Sequence, residues 1–240
     1  MPETLAGKQF VLAGGSGGLG SATARLLAAE GAELIVSYRA NAGRAERLAS
    51  IARLIQADLG SAEDRARLLD AAPELYGLAV FSGDPARVAH PAELEDQMRR
   101  SAEVNYVGPI LLAREAAARM QARGTGGAIV LLGSMRAAAV FPGSTAYAGA
   151  KAALVAAARV LAKECRGRIN IRVNVVSPGV NAAGMAEASI ASGKYERYLR
   201  DDIVARYGAA EDVARAVRFF LEPDSYVTGQ VLTVDGGLTL

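Results

Sequence analysis

Two residues suited to proton transfer, Tyr147 and Lys151, stand four positions apart in a stretch that is predicted to be helical. Residues at this spacing share one face of a helix, so the phenol and the ammonium are neighbours. A nearby positive charge stabilises the phenolate and lowers the pKa of tyrosine from its usual value of about 10. The pair can therefore donate or accept a proton at moderate pH. The other interpretation is a packed aromatic ring beside a surface lysine.

Ser134 directly follows a predicted strand at residues 127–133. In parallel α/β sheets, ligands bind beyond the carboxyl ends of the strands. A hydroxyl at that place can hold the oxygen of a carbonyl or an alkoxide. Taken alone, it is an ordinary serine at the end of a strand.

A glycine-rich stretch, residues 13–20, lies between an apolar run at 10–12 and a predicted helix at 21–30. Glycine lets the backbone turn tightly and approach a phosphate. The helix that follows directs free N–H groups and a partial positive charge at the same point. Strand, loop and helix in this order predict nucleotide binding rather than a plain flexible turn. We expect the contacts from Gly14, Ser16, Gly17, Gly18 and Leu19.

Apolar runs that alternate with helical patterns predict the elements that position these residues. The predicted strands are 8–13, 32–37, 54–57, 77–81, 127–133, 169–176 and 231–234. The predicted helices are 21–30, 42–51, one that Ser61 caps, 91–123 with an interruption near Gly108 and Pro109, 145–166 and 211–221. This alternation predicts a single doubly wound domain over residues 1–240, a Rossmann-type, mostly parallel sheet of seven strands with helices on both faces. The polar segment 181–206 is predicted to be a substrate lid.

Composition narrows the class of protein. The chain has 240 residues, of which 51% are hydrophobic and 22% charged, with a net charge of +2. No basic cluster interleaved with aromatic residues is present, which disfavours nucleic acid as a partner. The lone Cys165 and the lone His90 predict neither a disulfide nor a metal site. Residues 1–4 lack the features of a signal peptide, and no apolar run reaches the roughly 18 residues of a membrane span, so we expect a cytoplasmic protein without membrane contact.

The end of the second predicted strand discriminates between NAD and NADP. A carboxylate at that place would accept hydrogen bonds from the ribose 2′-hydroxyl, but the chain reads Ser37-Tyr38-Arg39. Arg39 can meet a 2′-phosphate with its forked donors and Ser37 can add one more, so we expect NADP(H) rather than NAD(H). Arg39 as a solvated loop cation is the alternative. Asp58 can accept from the adenine amino group, or it can be a loop or capping aspartate.

With these residues in place, the chain closely resembles the classical short-chain dehydrogenase/reductase family over essentially its whole length. The family's glycine motif Thr-Gly-x-x-x-Gly-x-Gly matches residues 13–20, and its Tyr-x-x-x-Lys pair falls on Tyr147 and Lys151. The other matches are its serine at Ser134, its helical asparagine at Asn105, its Arg-Val-Asn-x-Val-x-Pro-Gly segment at 172–179 and its Val-Asp-Gly-Gly terminus at 234–237.

The resemblance implies an NADP(H)-dependent oxidoreductase that reduces a carbonyl or oxidises a secondary alcohol, with similarity to the 3-oxoacyl thioester reductase branch. Tyr147 would donate the proton in reduction and accept it in oxidation, and Lys151 would bind the nicotinamide ribose. Ser134 would orient the carbonyl, and Asn105 would hold a water in a proton relay. Further implied cofactor contacts are Leu59, Ser82, Gly83, Pro178 and Gly179. The family also implies a homotetramer or homodimer through helices around 93–121 and 145–166.

The chain departs from the family at three positions near the cofactor. Ala13 stands where a threonine is usual, Phe81 where an asparagine is usual, and Ala183 where a threonine often contacts the carboxamide. Each departure removes a polar contact, so we expect NADP(H) to bind more weakly than is usual for the family. These losses favour a second interpretation, a regulatory or scaffold protein that binds a nucleotide and turns over poorly. The retention of all four catalytic positions opposes it.

Overall fold

The computed structural model describes residues 4–88 and 90–240. Residues 1–3, which belong to the segment expected to lack signal-peptide features, lie outside the described residues. Among the described residues, none of the helices has both the length and the apolar character needed to cross a bilayer.

The strands form one sheet in the order β3-β2-β1-β4-β5-β6-β7, and every neighbouring pair is parallel. They are β1 Gln9–Ala13, β2 Glu33–Tyr38, β3 Arg53–Gln56, β4 Leu75–Val80, β5 Gly127–Leu132, β6 Ile171–Pro178 and β7 Val231–Val234. The predicted parallel seven-stranded sheet is confirmed.

Helices cover both faces of this sheet. They are α1 Gly18–Ala29, α2 Ala42–Ala45, α3 Ala62–Asp70, α4 Leu94–Ala102, α5 Gly108–Arg123, α6 Thr145–Glu164, α7 Glu187–Ala191, α8 Glu196–Arg200 and α9 Ala210–Leu221. Phe10 and Leu12 point to the face that α1 and α9 cover, whereas Val11 and Ala13 point to the face of α3, α5 and α6. Side chains alternate along a strand, so apolar residues at consecutive positions of β1 supply both cores.

The predicted helix over 91–123 is divided by a turn of π-helix at Glu103–Val107. Pro109 stands just beyond it and has no backbone N–H. An α-helix would direct that N–H at the carbonyl of Asn105, four residues earlier, so proline removes this donor and breaks the regular ladder. The predicted interruption near Gly108 and Pro109 is therefore present.

Three predicted boundaries are wrong by a few residues. The helix predicted over 21–30 begins three residues earlier, at Gly18. The helix predicted over 42–51 ends as α2 at Ala45, and a tight 3₁₀ turn at Glu46–Leu48 follows it. The strand predicted from residue 169 begins at Ile171, because Asn170 adopts a left-handed turn conformation with φ +54°. Asparagine tolerates that conformation better than most residues, and it cannot continue a strand there.

Candidate active site

A cavity of about 710 Å³ opens at the carboxyl edge of the sheet. This volume lies in the range of sites that enclose small molecules. All predicted site residues except Asn105 line it, namely Gly14, Ser16, Gly17, Gly18, Leu19, Ser37, Arg39, Asp58, Leu59, Ser82, Gly83, Ser134, Tyr147, Lys151, Pro178 and Gly179. The loops that follow β1 to β6 therefore meet around one space, as expected for a parallel sheet.

The glycine loop fits an anion. Gly14 has φ +70°, and a Cβ at this position would lie 2.9 Å from the backbone nitrogen of Ser82. Gly18 opens α1, and a Cβ there would lie 2.8 Å from the nitrogen of Gly184. No side-chain hydrogen bond caps this helix, so its first N–H groups face the cavity uncapped. Backbone donors and the helix dipole can hold a phosphate at this place.

One of the three departures from the family has a substitute contact. The backbone N–H of Gly14 donates to the buried hydroxyl of Ser37 at 3.0 Å, which ties the glycine loop to β2 where Ala13 offers no hydroxyl. Phe81 keeps a backbone bond, its N–H donating to the carbonyl of Ala13 at 2.7 Å, and its partly buried ring packs against the core beneath α1 and α9. Ala183 lines the cavity without a polar side chain. The loop is thus braced by different atoms from those expected.

The nucleotide end of the cavity carries two exposed arginines, Arg39 and Arg44. Arg44 was not predicted from the sequence, although a basic residue in the first turn of the helix after Arg39 could have indicated it. Asp58 also lines this end, and its carboxylate accepts the N–H of Gly60 at 3.0 Å. Asp58 therefore stabilises its own loop, which is one of the two roles the sequence left open, and it also lines the cavity.

At the other end, Lys151 lies on α6 with only 2% of its surface exposed. Its Nζ donates to the carbonyl of Leu132 at 2.7 Å and lies 5.9 Å from the ring centroid of Tyr147. Burial lowers the pKa of Lys151 from 10.5 to about 8, because the charged ammonium loses its hydration. The carbonyl at the end of β5 fixes where this ammonium lies.

The pKa of Tyr147 is raised above 10, and burial is the largest cause. The Ser134 hydroxyl and the positive charge of Arg136 act in the opposite direction. We expected Lys151 to lower this pKa, but here Arg136 supplies the opposing charge. Because Lys151 is turned toward Leu132, its effect on the phenol is weaker than the spacing alone indicates.

Asn105 is buried beside the cavity and its side chain is engaged. The amide nitrogen donates to the carbonyl of Asp84 at 2.9 Å and to the Ser101 hydroxyl at 3.0 Å, and its oxygen accepts the N–H of Asp84 at 2.9 Å. Ser101 in turn donates to the carbonyl of Ala146, next to Tyr147. The side chain of Asn105 thus braces the loop after β4 and the start of α6, which the sequence did not predict.

The segment predicted to be a lid, residues 181–206, contains α7 and α8 and borders the part of the cavity at Ser134 and Tyr147, here called the substrate end. Tyr198 and Val204 are buried against Met135 in a small apolar cluster, whereas Ile203 is 46% exposed. Met185 and Tyr195 line the cavity, as do the cations Arg87, Arg136 and Lys194. The sequence did not single out these cations. Arg136 could have been noticed because it lies two residues after Ser134, beyond the end of β5.

Comparison with known proteins identifies the family. A family model described as enoyl-(acyl carrier protein) reductase matches residues 13–239. An uncharacterised oxidoreductase of Methylorubrum extorquens is 36% identical over 248 residues, which cover 98% of each chain. An Arabidopsis thaliana protein named as an NADPH-dependent aldehyde reductase-like chloroplastic protein is 31% identical over 98% of this chain and 96% of its own.

Solved structures of known proteins resemble this chain in both fold and sequence. A short-chain dehydrogenase/reductase family protein superposes with a TM-score of 0.86 at 35% identity, covering 98% of both chains. A 7α-hydroxysteroid dehydrogenase solved with NADH and 7-oxo glycochenodeoxycholic acid has a TM-score of 0.87 at 30% identity, over 98% of this chain and 95% of that one. With a family model that matches almost the whole sequence and relatives of this coverage, the chain belongs to the short-chain dehydrogenase/reductase family of NAD(P)(H)-binding oxidoreductases.

Proposed function

We propose that this protein is an NADP(H)-dependent oxidoreductase that reduces a carbonyl compound, or oxidises the corresponding secondary alcohol, with Tyr147 as proton donor or acceptor. One observation carries the proposal. Ser134, Tyr147 and Lys151 line the same cavity as the glycine loop at Gly14. A single ligand can therefore be held at the loop and reach the proton-transfer residues.

The residues at the nucleotide end fit a dinucleotide. The uncapped start of α1 and the close backbone approach at Gly14 suit the pyrophosphate. Ser82 has a buried hydroxyl without a hydrogen-bond partner, and it lines the cavity. A buried hydroxyl gains stability when a ligand satisfies it, so it favours a polar ligand at this place. When bound, the nicotinamide supplies or accepts the hydride, and the protein supplies position and electrostatics.

The proton roles follow from the positions of the side chains. Tyr147 gives its proton to the carbonyl oxygen as the carbonyl carbon receives a hydride, which converts the C=O group into a CH–OH group. Ser134 holds the same oxygen. The Lys151 ammonium, 5.9 Å from the ring centroid of Tyr147, would bind the nicotinamide ribose when the cofactor is present. In the proton relay, Asn105 would hold the water through its backbone carbonyl, because its side chain is already hydrogen-bonded to Asp84. Pro109 has no N–H and so leaves this carbonyl without its α-helical donor.

The preference for NADP(H) rests on charge at the end of β2. Ser37, Tyr38 and Arg39 offer no carboxylate there, and Arg44 adds a second guanidinium to the same end of the cavity. Two guanidinium groups favour a 2′-phosphate, whereas a carboxylate would repel it. The relative named as NADPH-dependent agrees with this choice, and the structure solved with NADH shows that the fold also serves the other cofactor.

The activity is tested by NADPH consumption against a panel of ketones and aldehydes. We expect Tyr147→Phe to lower kcat by roughly 10²- to 10⁴-fold, because the ring stays and the proton donor is lost. NADPH binding by calorimetry serves as the control and should persist in the variant. Equal rates for the wild type and Tyr147→Phe would overturn the enzyme proposal and leave the regulatory or scaffold interpretation.

The cofactor preference is tested separately. We expect Arg39→Asp to shift the ratio of kcat/KM for NADPH over NADH by roughly 10- to 100-fold toward NADH, the range of a charge-assisted contact. An unchanged ratio together with better turnover of NADH in the wild type would show that the protein is NAD-dependent.

We also expect NADPH to bind more weakly than is usual for the family, with a dissociation constant in the micromolar range or weaker, since Ala183 adds no polar contact. A sub-micromolar value by calorimetry would contradict this.

We further propose that the chain acts as one domain, that residues 181–206 act as its substrate lid, and that copies associate through α4, α5 and α6. Exposed apolar side chains on these helices support association, namely Leu94 at 40%, Met98 at 45%, Leu111 at 38% and Val160 at 56% exposure. Sedimentation would decide between a dimer, a tetramer and a monomer.

A further inference from the structure

Arg136 is a partly buried cation, and none of the ion pairs formed within residues 4–88 and 90–240 includes it. Its Nη2 donates to the hydroxyl of Tyr195 at 3.4 Å, and its guanidinium carbon lies 5.2 Å from the ring centroid of Phe141. A partly buried guanidinium that faces a cavity and has no acidic partner among the described residues is suited to bind an anionic ligand there.

The guanidinium lies beside the reacting groups. Arg136 lines the cavity together with Ser134 and Tyr147, and its charge is close enough to oppose the rise in the pKa of Tyr147. Its backbone N–H donates to the Ser134 hydroxyl at 3.2 Å, so the turn that presents the serine also presents the arginine. A substrate whose carbonyl rests on Ser134 therefore brings its neighbouring substituents within range of the guanidinium.

The charged side chains that line the substrate end of the cavity are positive. Lys194 and Arg87 line it with Arg136, whereas the acidic residues in the described lining are Asp58 and Glu103. Asp58 follows β3, four strands away from β5 in the sheet, which corresponds to about 19 Å at a strand spacing of about 4.8 Å. Glu103 lies with it, since its carboxylate is 3.2 Å from where a Cβ of Gly60 would stand. Neither acid neutralises the substrate end.

We propose that Arg136 is a specificity-determining residue and that the substrate is a carbonyl compound that carries an anionic group, which the Arg136 guanidinium binds while Ser134 and Tyr147 hold the carbonyl. This rests on the proposed oxidoreductase function and adds the substrate class. The anionic group takes no part in the redox step: a hydride adds to the carbonyl carbon, Tyr147 protonates the oxygen, and the nicotinamide is oxidised. The forked donors suit a carboxylate and a phosphate alike, so the shared chemistry is an oxyanion.

The test compares matched substrates on two skeletons with NADPH. Acetoacetate is compared with its methyl ester and with 2-oxopropylphosphonate, and benzoylformate with its methyl ester. We expect the wild type to have a kcat/KM at least about 10-fold higher for the acid than for the ester. In Arg136→Met this ratio should fall roughly 10- to 100-fold, chiefly through KM of the acid, the range of a charge-assisted hydrogen bond. Preference for the phosphonate over the carboxylate would identify a phosphate-bearing substrate.

Controls separate the charge from the fold. Arg136→Lys keeps the positive charge without the fork and should retain an intermediate ratio. It also serves if Arg136→Met fails to fold. Arg168→Met changes an exposed arginine in the turn before β6, outside the cavity lining and outside α4, α5 and α6, and should leave both rates unchanged. An acid-to-ester ratio that is the same in the wild type and Arg136→Met, or a wild type that prefers the esters, would overturn the proposal and leave the oxidoreductase function intact.

A binding arm decides the case in which no compound is reduced. The 3-hydroxybutyrate anion and its methyl ester are titrated calorimetrically into the protein with NADPH, a combination that cannot react. Binding of the anion at least about 10-fold tighter in the wild type than in Arg136→Met supports the anion site even if the proposed reductase activity fails. Equal affinity in the two proteins, or no binding of the anion, overturns it.

Discussion

The two ends of the cavity are built from different kinds of contact. At the nucleotide end the parts are mainly backbone: the turn at Gly14 packs against the backbone of Ser82, and the start of α1 at Gly18 lies against the backbone of Gly184. One side chain, the hydroxyl of Ser37, ties this loop to β2. At the substrate end the parts are side chains from distant segments. Arg136 reaches Tyr195, 59 positions away, and Arg87 reaches Ser189, 102 positions away.

This difference determines how each end responds to change. Gly14 and Gly18 tolerate almost no substitution, because an added Cβ would lie within 3 Å of backbone atoms and has no alternative position. Side-chain contacts across a lid can be lost singly, at about 1 kcal/mol each, while the rest of the fold stays. We therefore expect substitutions at the nucleotide end to affect folding and cofactor binding together, and substitutions at the substrate end to affect selectivity with smaller effects on stability.

The largest effect on stability is expected from Gly14→Ala. An alanine would be held at φ +70° with its Cβ 2.9 Å from the nitrogen of Ser82, which is backbone and cannot move away. We expect a loss at the upper end of about 1–3 kcal/mol in the free energy of unfolding, and weaker NADPH binding. Urea denaturation and calorimetry measure the two effects.

Gly149→Ala is the matched control for this prediction. Gly149 lies in α6, and a Cβ there would meet nothing within 4 Å. Alanine in a helix interior should stabilise the protein by about 0.5–1 kcal/mol. If the two alanine variants behave alike, the backbone account of the nucleotide end is wrong.

The next prediction concerns Lys151 and pH. Its pKa is about 8 in the folded protein and 10.5 in the unfolded chain, so between these values the unfolded chain binds more protons. Stability due to this group therefore rises with pH, by about 2 kcal/mol from pH 8 to pH 10. In Lys151→Met this rise should be absent.

The quantity to measure is the difference in unfolding free energy between the wild type and Lys151→Met at each pH. This difference removes the contribution of Cys165, whose thiol pKa is raised by burial and which therefore lowers stability as pH rises above 9. Tyr147 has a raised phenol pKa and acts in the same direction above pH 10, so the comparison ends there. A difference that is flat from pH 8 to pH 10 would show that the ammonium is not desolvated as its burial indicates.

The sequence predicts the fold and the nucleotide end well for a physical reason. Apolar runs and the glycine pattern are local signals, and the seven strands lie within about two residues of their predicted positions. The exceptions are also local, since Asn170 turns where an aliphatic pattern continues. That Tyr147 and Lys151 line the same cavity could be predicted because they share a helix face.

The remaining features of the site depend on which distant residues meet. The amide of Asn105 is engaged by Asp84, 21 positions away, and no local pattern indicates this pairing. Arg136 is one of 27 basic side chains. Only the structure shows that it lines the cavity and contacts Tyr195 instead of an acidic side chain among the described residues. The direction of the pKa of Tyr147 depends on burial, which the spacing of Tyr147 and Lys151 cannot reveal.

The smallest effect on stability is expected at Asp212 in α9, shortly after the end of the proposed lid segment 181–206. Asp212 accepts the N–H of Ala209 and pairs with Arg206 and Arg215, and the Arg206 contact is the largest of several that lower its pKa from 3.8 to about 2. Its contribution to stability is therefore fully present above pH 4 and is lost as pH falls through 2. Because both arginines are largely exposed, we expect Asp212→Asn to lose only about 1 kcal/mol at pH 7, measured by denaturation.

Arg206→Gln sharpens this prediction, because Arg206 is the last residue of the lid segment whereas Arg215 lies within α9. Releasing Arg206 should speed hydrogen exchange over residues 181–206 and leave the glycine loop at 13–20 unchanged, because the contacts that Arg206 makes are with Tyr207 and Asp212 rather than with that loop. Arg215→Gln should change neither, because it releases a side chain within one helix. Faster exchange at the glycine loop in Arg206→Gln would mean that the two ends of the cavity are coupled, for which the contact of Gly18 with Gly184 offers a path.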